Sequence, residues 1–236
     1  SGDVILDCLE SLLAATGVRL HIVVVDNAST DDSVQRIRRW ATDPDYYSVP
    51  SDIPFALERA PRPLAVNEVE RACAVPEAPQ IMVLHAGVNG GYAGGVNAGL
   101  AALAATPGVE RFWVLNPDSV VPPTTPRAFA VAGGPDARFA LLGGRVNYLE
   151  RPDQIQIDGG LIDWRTGVTR NVNQGRSAAT APPPDTSAID FISGASMVAS
   201  RHFYETAGPM AEDYFLYYEE VDWAMQRGDL PLAYCS

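Results

Sequence analysis

The sequence has 236 residues, 47% of them hydrophobic, with a formal net charge of −12 and a pI near 4.6. That length fits one large domain or two small ones, and the apolar content supports a packed core and excludes a disordered chain. The acidic balance excludes sequence-independent nucleic-acid binding, which rests on Lys and Arg against phosphate.

Ile5, Leu9, Leu12 and Leu13 recur at helical spacing, with Asp3 as a candidate cap. Arg19 to Val25 is β-rich and ends at Asp26. The turn from Asn27 to Asp32 leads into a second predicted helix, Ser33 to Trp40. Residues 43 to 63 carry five prolines and read as a surface loop, followed by a short predicted helix at Val66 to Cys73. Gln80 to His85 is the next strand. Gly87 to Gly95 reads as a glycine-rich loop before an alanine-rich helix, Val96 to Ala105, and Arg111 to Leu115 is a buried strand. Alternating strands and helices predict a parallel sheet with right-handed crossovers.

After about residue 140 the texture changes. Leu141 to Tyr148, Ile155 to Asp158 and Gly167 to Val172 read as strands separated by turns, and Ser177 to Thr186 reads as a loop. Ile189 to Ile192, a helix near Ser200 to Thr206, the segment Tyr214 to Gln226 and a final strand at Ala233 to Ser236 complete the chain.

Cys8, Cys73 and Cys235 form no CxxC pair, so the plain expectation is a reduced compartment without structural zinc. No apolar run approaches the ~18–20 residues that span a bilayer, and no signal peptide is visible. The chain opens on a helix and closes in a strand, so we expect further segments beyond both ends.

Four stretches could carry chemistry. In Val25-Asp26-Asn27-Ala28-Ser29-Thr30-Asp31, an acid at a strand's C-terminal edge can accept hydrogen bonds from a nucleobase or ribose, or simply cap a helix. In Asn89 to Gly99, glycines let backbone approach a ligand ahead of a helix N-terminus, or form a capped loop; the spacing is neither GxGxxG nor a Walker loop. Asn116-Pro117-Asp118 places a carboxylate at a strand end, where it can hold Mg²⁺ or Mn²⁺ with substrate phosphates, or serve as turn chemistry. In Asp213 to Trp223, four acids sit among five aromatics. Glu219, Glu220 and Asp222 there either favour a helix N-terminus or include a general base beside sugar-stacking rings. His21, His85 and His202 lack ligand-like spacing and read as structural. Ser193 and Ser196 flank Gly194 without a GxSxG elbow, against a serine hydrolase.

Together, in this order, the motifs resemble the inverting glycosyltransferases of family 2, with their GT-A fold. The series runs Val-Asp-Asn-Ala-Ser-Thr-Asp, Asn-x-Gly-x-x-x-Gly-x-Asn (Asn89 to Asn97), Leu-Asn-Pro-Asp, Ser-Gly-Ala and Glu-Glu-Val-Asp. The branch it is most similar to is rhamnosyltransferase-like, acting in bacterial cell-surface polysaccharide biosynthesis. The resemblance covers nearly the whole chain. It implies an α/β fold, a Rossmann-like, mostly parallel sheet with helices on both faces, and a smaller mixed sheet on the acceptor side. Within a single domain spanning 1–236, residues 1–120 would bind nucleotide and 121–236 would bind acceptor and carry catalysis.

The resemblance also implies residue roles. Asp26 would contact the donor base, with Asn27 beside it. Asn89, Gly91 and Asn97 would line the nucleotide and sugar-phosphate pocket. Asp118 corresponds to the last acid of the family's DxD motif and would carry most of the metal binding. Asn116 replaces the first acid and stays among the nucleotide-sugar contacts. Ser193 and Gly194 would lie beside the donor sugar. Glu220 is the first choice for catalytic base, with Glu219 and Asp222 as runners-up. The donor would be a nucleotide-diphosphate sugar, the acceptor a saccharide or lipid-linked precursor, and the cofactor Mg²⁺ or Mn²⁺. That places the activity in the cytoplasm or at the inner face of the plasma membrane, and it is compatible with a homodimer.

There are departures from the family pattern. Its first strand has no counterpart here, the stretch from Asp43 to Pro79 is longer than usual, and its later histidine would fall beyond Ser236. The competing readings are a non-catalytic nucleotide-sugar-binding module and a nucleotidyltransferase.

Overall fold

The structure, a computed structural model, describes residues 4–77, 81–134 and 137–235. The Asp3 cap, the Gln80 strand start and Ser236 lie outside the described residues. The chain forms two compact units. One takes residues 1–109, 117–130 and 212–216, the other 110–116, 131–211 and 217–236.

The first unit is built on three parallel strands in the order β1-β3-β2, with β1 at Ile22–Asp26, β2 at Val66–Val69 and β3 at Ile81–His85. Alternation along β3 sorts its side chains. Ile81 and Val83 pack with Ile5, Leu6 and Leu9 of α1 (Val4–Leu13) and Ile37, Trp40 and Ala41 of α2 (Ser33–Thr42). Met82 packs with Ala102 of α3 (Gly91–Ala104) and with Val75. Helices therefore cover both faces of a parallel sheet, as the sequence predicts. A further helix, α4 (Thr125–Val131), follows Pro122 and Pro123 and was not predicted.

Two local expectations are corrected here. Val66 to Cys73 is not a helix: Val66 to Val69 pairs with Ile81 to Leu84, and cross-strand burial outweighs a weak helical pattern. Half of the predicted glycine loop is helix, because α3 begins at Gly91.

The second unit holds a mixed sheet in the order β11-β5-β10-β4. Its strands are β4 (Arg111–Leu115), β5 (Leu141–Gly144), β10 (Ser196–Ser200) and β11 (Ala233–Cys235). β4 matches its predicted bounds, but its partner is the unpredicted β10, antiparallel, with Leu115 opposite Ser196. The predicted strand Leu141 to Tyr148 breaks at Arg145 into β5 and β6 (Val146–Tyr148). Arg145 leaves the strand to hold Asp158, which is fully buried, through Nε at 3.0 Å and a terminal nitrogen at 2.8 Å. Tyr234 and Asn173 also donate to Asp158, at 2.7 and 2.9 Å. Burial alone would raise this carboxyl; its three partners outweigh that and hold it below the ordinary range. Two small hairpins complete the sheets: β6 with β7 (Arg151–Ile157), and the unpredicted β8 (Gly160–Ile162) with β9 (Thr169–Asn171). The helices are α5 (Arg201–Ala207), close to its predicted place, and α6 (Glu219–Met225).

The first unit also buries an ion pair under its helices. Glu10 and Arg62 are 1% and 2% exposed in their side chains and hydrogen-bond each other, and Trp40 Nε1 donates to Glu10 at 2.9 Å. Removing one partner of a buried pair leaves an uncompensated charge, which is the costly case. Glu10→Ala is therefore expected to destabilise the protein by about 3–5 kcal/mol. Glu10→Gln keeps an acceptor for Trp40 and Arg62 but not the counter-charge, so it should cost only part of that, as read by urea unfolding.

Candidate functional site

In the first unit, Asp26 and His85 end adjacent parallel strands level with each other. This C-terminal edge is where open α/β sheets bind ligands. Asp26 Oδ1 accepts the Ser29 N–H at 3.0 Å, and Oδ2 lies 3.2 Å from His85 Nδ1. Burial raises the Asp26 carboxyl, but Ser29 and His85 outweigh it and keep the group ionised further into acid than usual.

Asn27 joins this edge to the glycine-rich segment. Its Oδ1 accepts the Gly90 N–H at 3.1 Å, while its Nδ2 donates to the Gly91 carbonyl at 2.8 Å and to Asn89 Oδ1 at 3.3 Å. Asn89 Oδ1 accepts the Gly91 N–H at 3.0 Å. Asp26, Asn27, Asn89 and Gly91 are thus brought together.

The glycines divide by task. Gly91 has φ +71°, and a Cβ there would fall 2.4 Å from the Phe215 carbonyl, so glycine is demanded by backbone. A Cβ on Gly95 would crowd Asn27 Nδ2 at 3.3 Å, and one on Gly99 would crowd Val25 at 3.2 Å; these two let α3 lie close on β1. Gly94 faces open space. Asn97 is 8% exposed, and its Nδ2 donates to Glu212 Oε1 at 2.9 Å. The helix N-cap is Gly90, without a side-chain hydrogen bond to the helix. That end of α3 has the amide dipoles an anion favours.

Asp118 is exposed. Its charge, after burial, is the second cause that pushes the buried Cys8 thiol up to about 12. Among the described residues no three His, Cys, Asp or Glu side chains group into a metal centre. One exposed, hard oxygen donor fits a Mg²⁺- or Mn²⁺-type ion whose remaining ligands are substrate phosphates and water.

In the second unit, the end of β4 meets the segment before β10. The Asn116 N–H donates to the Ala195 carbonyl at 3.0 Å. The Ser193 carbonyl accepts the Ser196 N–H at 3.2 Å, closing a turn around Gly194. Trp113 Nε1 donates to Ser196 Oγ at 3.1 Å and fixes the register. Asn116, Ser193 and Gly194 are therefore neighbours.

The acids of α6 differ sharply in environment. Tyr217 and Tyr218, both at positive φ, turn the chain into the helix. Trp223 is fully buried, stacks obliquely on Phe203 with ring centroids 4.9 Å apart and donates to the Gly208 carbonyl at 2.9 Å. Glu219 is 2% exposed, and its Oε2 has no hydrogen-bond partner among the described residues. Glu220 is half-buried; burial first, then the charge of Glu219, raises its carboxyl. Asp222 accepts from Gln226 Nε2 at 2.8 Å. Of the three, Glu220 combines access with a raised proton affinity, which a general base needs.

His85 is the residue that sequence reasoning assigned only a structural place. Its signal was position: it ends β3 as Asp26 ends β1.

A family model described as "Glycosyl transferase family 2" matches residues 1–53, the segment that carries α1, β1, Asp26, Asn27 and α2. Among solved structures, the mannosyltransferase PcManGT from Pyrobaculum calidifontis, in complex with GDP-Man and Mn²⁺, matches with a TM-score of 0.55 at 16% identity. The alignment covers 100% of this chain and 53% of that one, so this chain spans about half the length of that structure. No curated protein matches the chain. The fold is the GT-A fold of glycosyltransferases.

Because Asn27 links the β1 edge to the turn before α3 with three hydrogen bonds, Asn27→Ala is expected to cost about 1–3 kcal/mol. The Gly90 amide, whose acceptor is Asn27 Oδ1, should lose hydrogen-exchange protection while the amides of β3 keep theirs. Unchanged protection at Gly90 would contradict the link.

Proposed function

We propose that this chain is an inverting glycosyltransferase of family 2, moving a sugar from a nucleotide-diphosphate donor to a saccharide or lipid-linked acceptor. The observation that carries the proposal is the Asp26-Asn27 edge, which lies within the segment matched by the family model and is held to the glycine-rich N-terminus of α3. The likeness in fold to a protein seen with GDP-Man and Mn²⁺ supports a nucleotide-sugar donor and a divalent metal. The order of the motifs supports the rhamnosyltransferase-like branch, with rhamnose as the first sugar to try, in cell-surface polysaccharide synthesis.

In this proposal the first unit binds nucleotide. Asp26 accepts an N–H of the donor base, Asn27, Asn89 and Gly91 shape the pocket, and Asn97 keeps α3 in place through Glu212. The dipole at the N-terminal end of α3 favours the diphosphate, while the Gly90, Gly91 and Tyr92 amides are held by Asn27, Asn89 and the Phe215 carbonyl. Asp118 would hold Mg²⁺ or Mn²⁺, which when bound neutralises charge on the departing diphosphate. Asn116, Ser193 and Gly194 would contact the donor sugar, and Glu220 would be the base. Glu220 takes the acceptor hydroxyl proton as that oxygen attacks the anomeric carbon and the bond to the diphosphate breaks. A single displacement inverts the configuration and needs no covalent enzyme intermediate. Glu219 raises Glu220 through its charge, and Asp222 is held by Gln226. Among the described residues no helix is long and apolar enough to cross a membrane.

Transfer assays from dTDP-rhamnose and GDP-mannose with Mg²⁺ or Mn²⁺ test these roles. Glu220→Gln should reduce kcat by about 10²–10⁴-fold. Asp118→Ala should weaken metal activation by about 10–100-fold. Activity should rise with pH through the raised Glu220 pKa, and Glu219→Gln should move that limb to lower pH. Wild-type turnover by Glu220→Gln would remove Glu220 as base, and wild-type metal response by Asp118→Ala would remove the metal assignment.

A further inference from the structure

His85 sits between two carboxylates at the ligand-binding edge of the parallel sheet. Nδ1 is 3.2 Å from Asp26 Oδ2 on β1, and Nε2 is 3.0 Å from Glu68 Oε2 on β2. Glu68 is itself gripped by Arg38 of α2, through Nε and a terminal nitrogen, each at 2.6 Å. Glu70, beyond β2, adds a further negative charge toward the ring.

A ring in this position can serve both carboxylates only as an imidazolium. Either neutral tautomer turns a bare nitrogen lone pair toward one of them. Asp26 is in turn tied on both oxygens, by Ser29 on one and His85 on the other. A carboxylate offers about four acceptor positions, so it keeps capacity for a ligand N–H while its orientation is fixed.

We propose that His85 is a positioning residue for donor binding: bridging Asp26 and Glu68, it fixes the carboxylate that accepts the nucleobase N–H and balances its charge beside an anionic nucleotide. The role rests on the proposed contact between Asp26 and the donor base.

The direction of the pH effect follows. Glu68 first, with Asp26 and Glu70, raises the proton affinity of His85 against the opposing effect of burial, so the ring stays cationic above the ordinary histidine range. The contribution is present at lower pH and disappears as pH rises through that raised value. Loss of the proton breaks one carboxylate contact, frees Asp26 to turn and leaves the charges of Asp26 and Glu68 uncompensated beside an anionic nucleotide. Donor affinity therefore falls on the alkaline side.

The test is calorimetric titration of UDP, GDP and dTDP with Mn²⁺ into wild type, His85→Asn and Glu68→Gln. For whichever nucleotide binds, wild-type affinity should fall about tenfold between roughly pH 6 and pH 9. His85→Asn keeps a side-chain N–H but cannot be cationic; it should bind about tenfold more weakly at the lower pH, with a flat profile. In turnover, it should raise the donor KM and leave kcat within about twofold. Glu68→Gln, which leaves His85 in place, should move the wild-type fall in affinity to lower pH and serves even if His85→Asn fails to fold. Imidazole NMR gives an independent readout, with His85 expected to titrate above the ordinary histidine range. Wild-type affinity and slope in both variants, or an ordinary His85 titration, would overturn the role alone. No binding of any nucleotide by wild type would overturn the donor reading and this role with it.

Discussion

The amide of Asn27 is the constraint on which the first unit depends. With three hydrogen bonds it fastens the C-terminal end of β1 to the turn that opens α3. Its Nδ2 lies so close to Gly95 that a Cβ there would meet it at 3.3 Å, so the amide and the glycine must coexist. Gly99, one turn further on, lets the same helix rest on Val25. The sheet edge, the helix start and their separation are therefore set by one polar side chain and two missing methyl groups. An amide suits this task because it donates and accepts at once and carries no charge that would compete with Asp26 for a ligand.

The second unit is organised around different chemistry. Its fully buried carboxylate, Asp158, is tied to Arg145, Asn173 and Tyr234, each from a different stretch of chain. Breaking such a set leaves a buried charge, so these segments hold one arrangement. Trp223 anchors the short helix that carries the acids, and two successive tyrosines at positive φ deliver the chain to it. The outcome is one sealed carboxylate, Glu219, beside an accessible one, Glu220, whose proton affinity is raised. Neighbouring acids with different environments come to differ in proton affinity, which is how two ordinary carboxylates take separate tasks. The first unit shows the complementary case, where hydrogen bonds keep Asp26 and Glu68 ionised, Glu68 down to about 2.

Much of this was legible in the residues, for local reasons. β4 declared itself as an apolar run closed by Asn-Pro-Asp, and α1 by its spacing. Asp26 and Asn27 stood out because they end a strand. What escaped required a partner distant in sequence. Val66 to Val69 carries a mixed local pattern, and only pairing with β3 makes it a strand. With that element misread, Glu68 could not be placed beside His85, and the histidine had no visible partner. The glycine-rich segment was recognised, but its division between backbone strain at Gly91 and helix packing at Gly95 and Gly99 depends on Phe215 and Val25. β8 was hidden because it has three residues, and β10, as long as β4, because its serines and alanine carry no strand pattern without β4 and β5 beside them.

The central claim, that the chain breaks a sugar–diphosphate bond rather than a bond within the diphosphate, is tested most directly by product analysis. Nucleotide sugars would be incubated with the protein, Mn²⁺ and a saccharide or lipid-linked acceptor, and the phosphorus-containing products followed by ³¹P NMR. The account predicts release of free nucleoside diphosphate in step with glycosylated acceptor of inverted anomeric configuration. Release of pyrophosphate, or nucleotide binding without any cleavage, would contradict it.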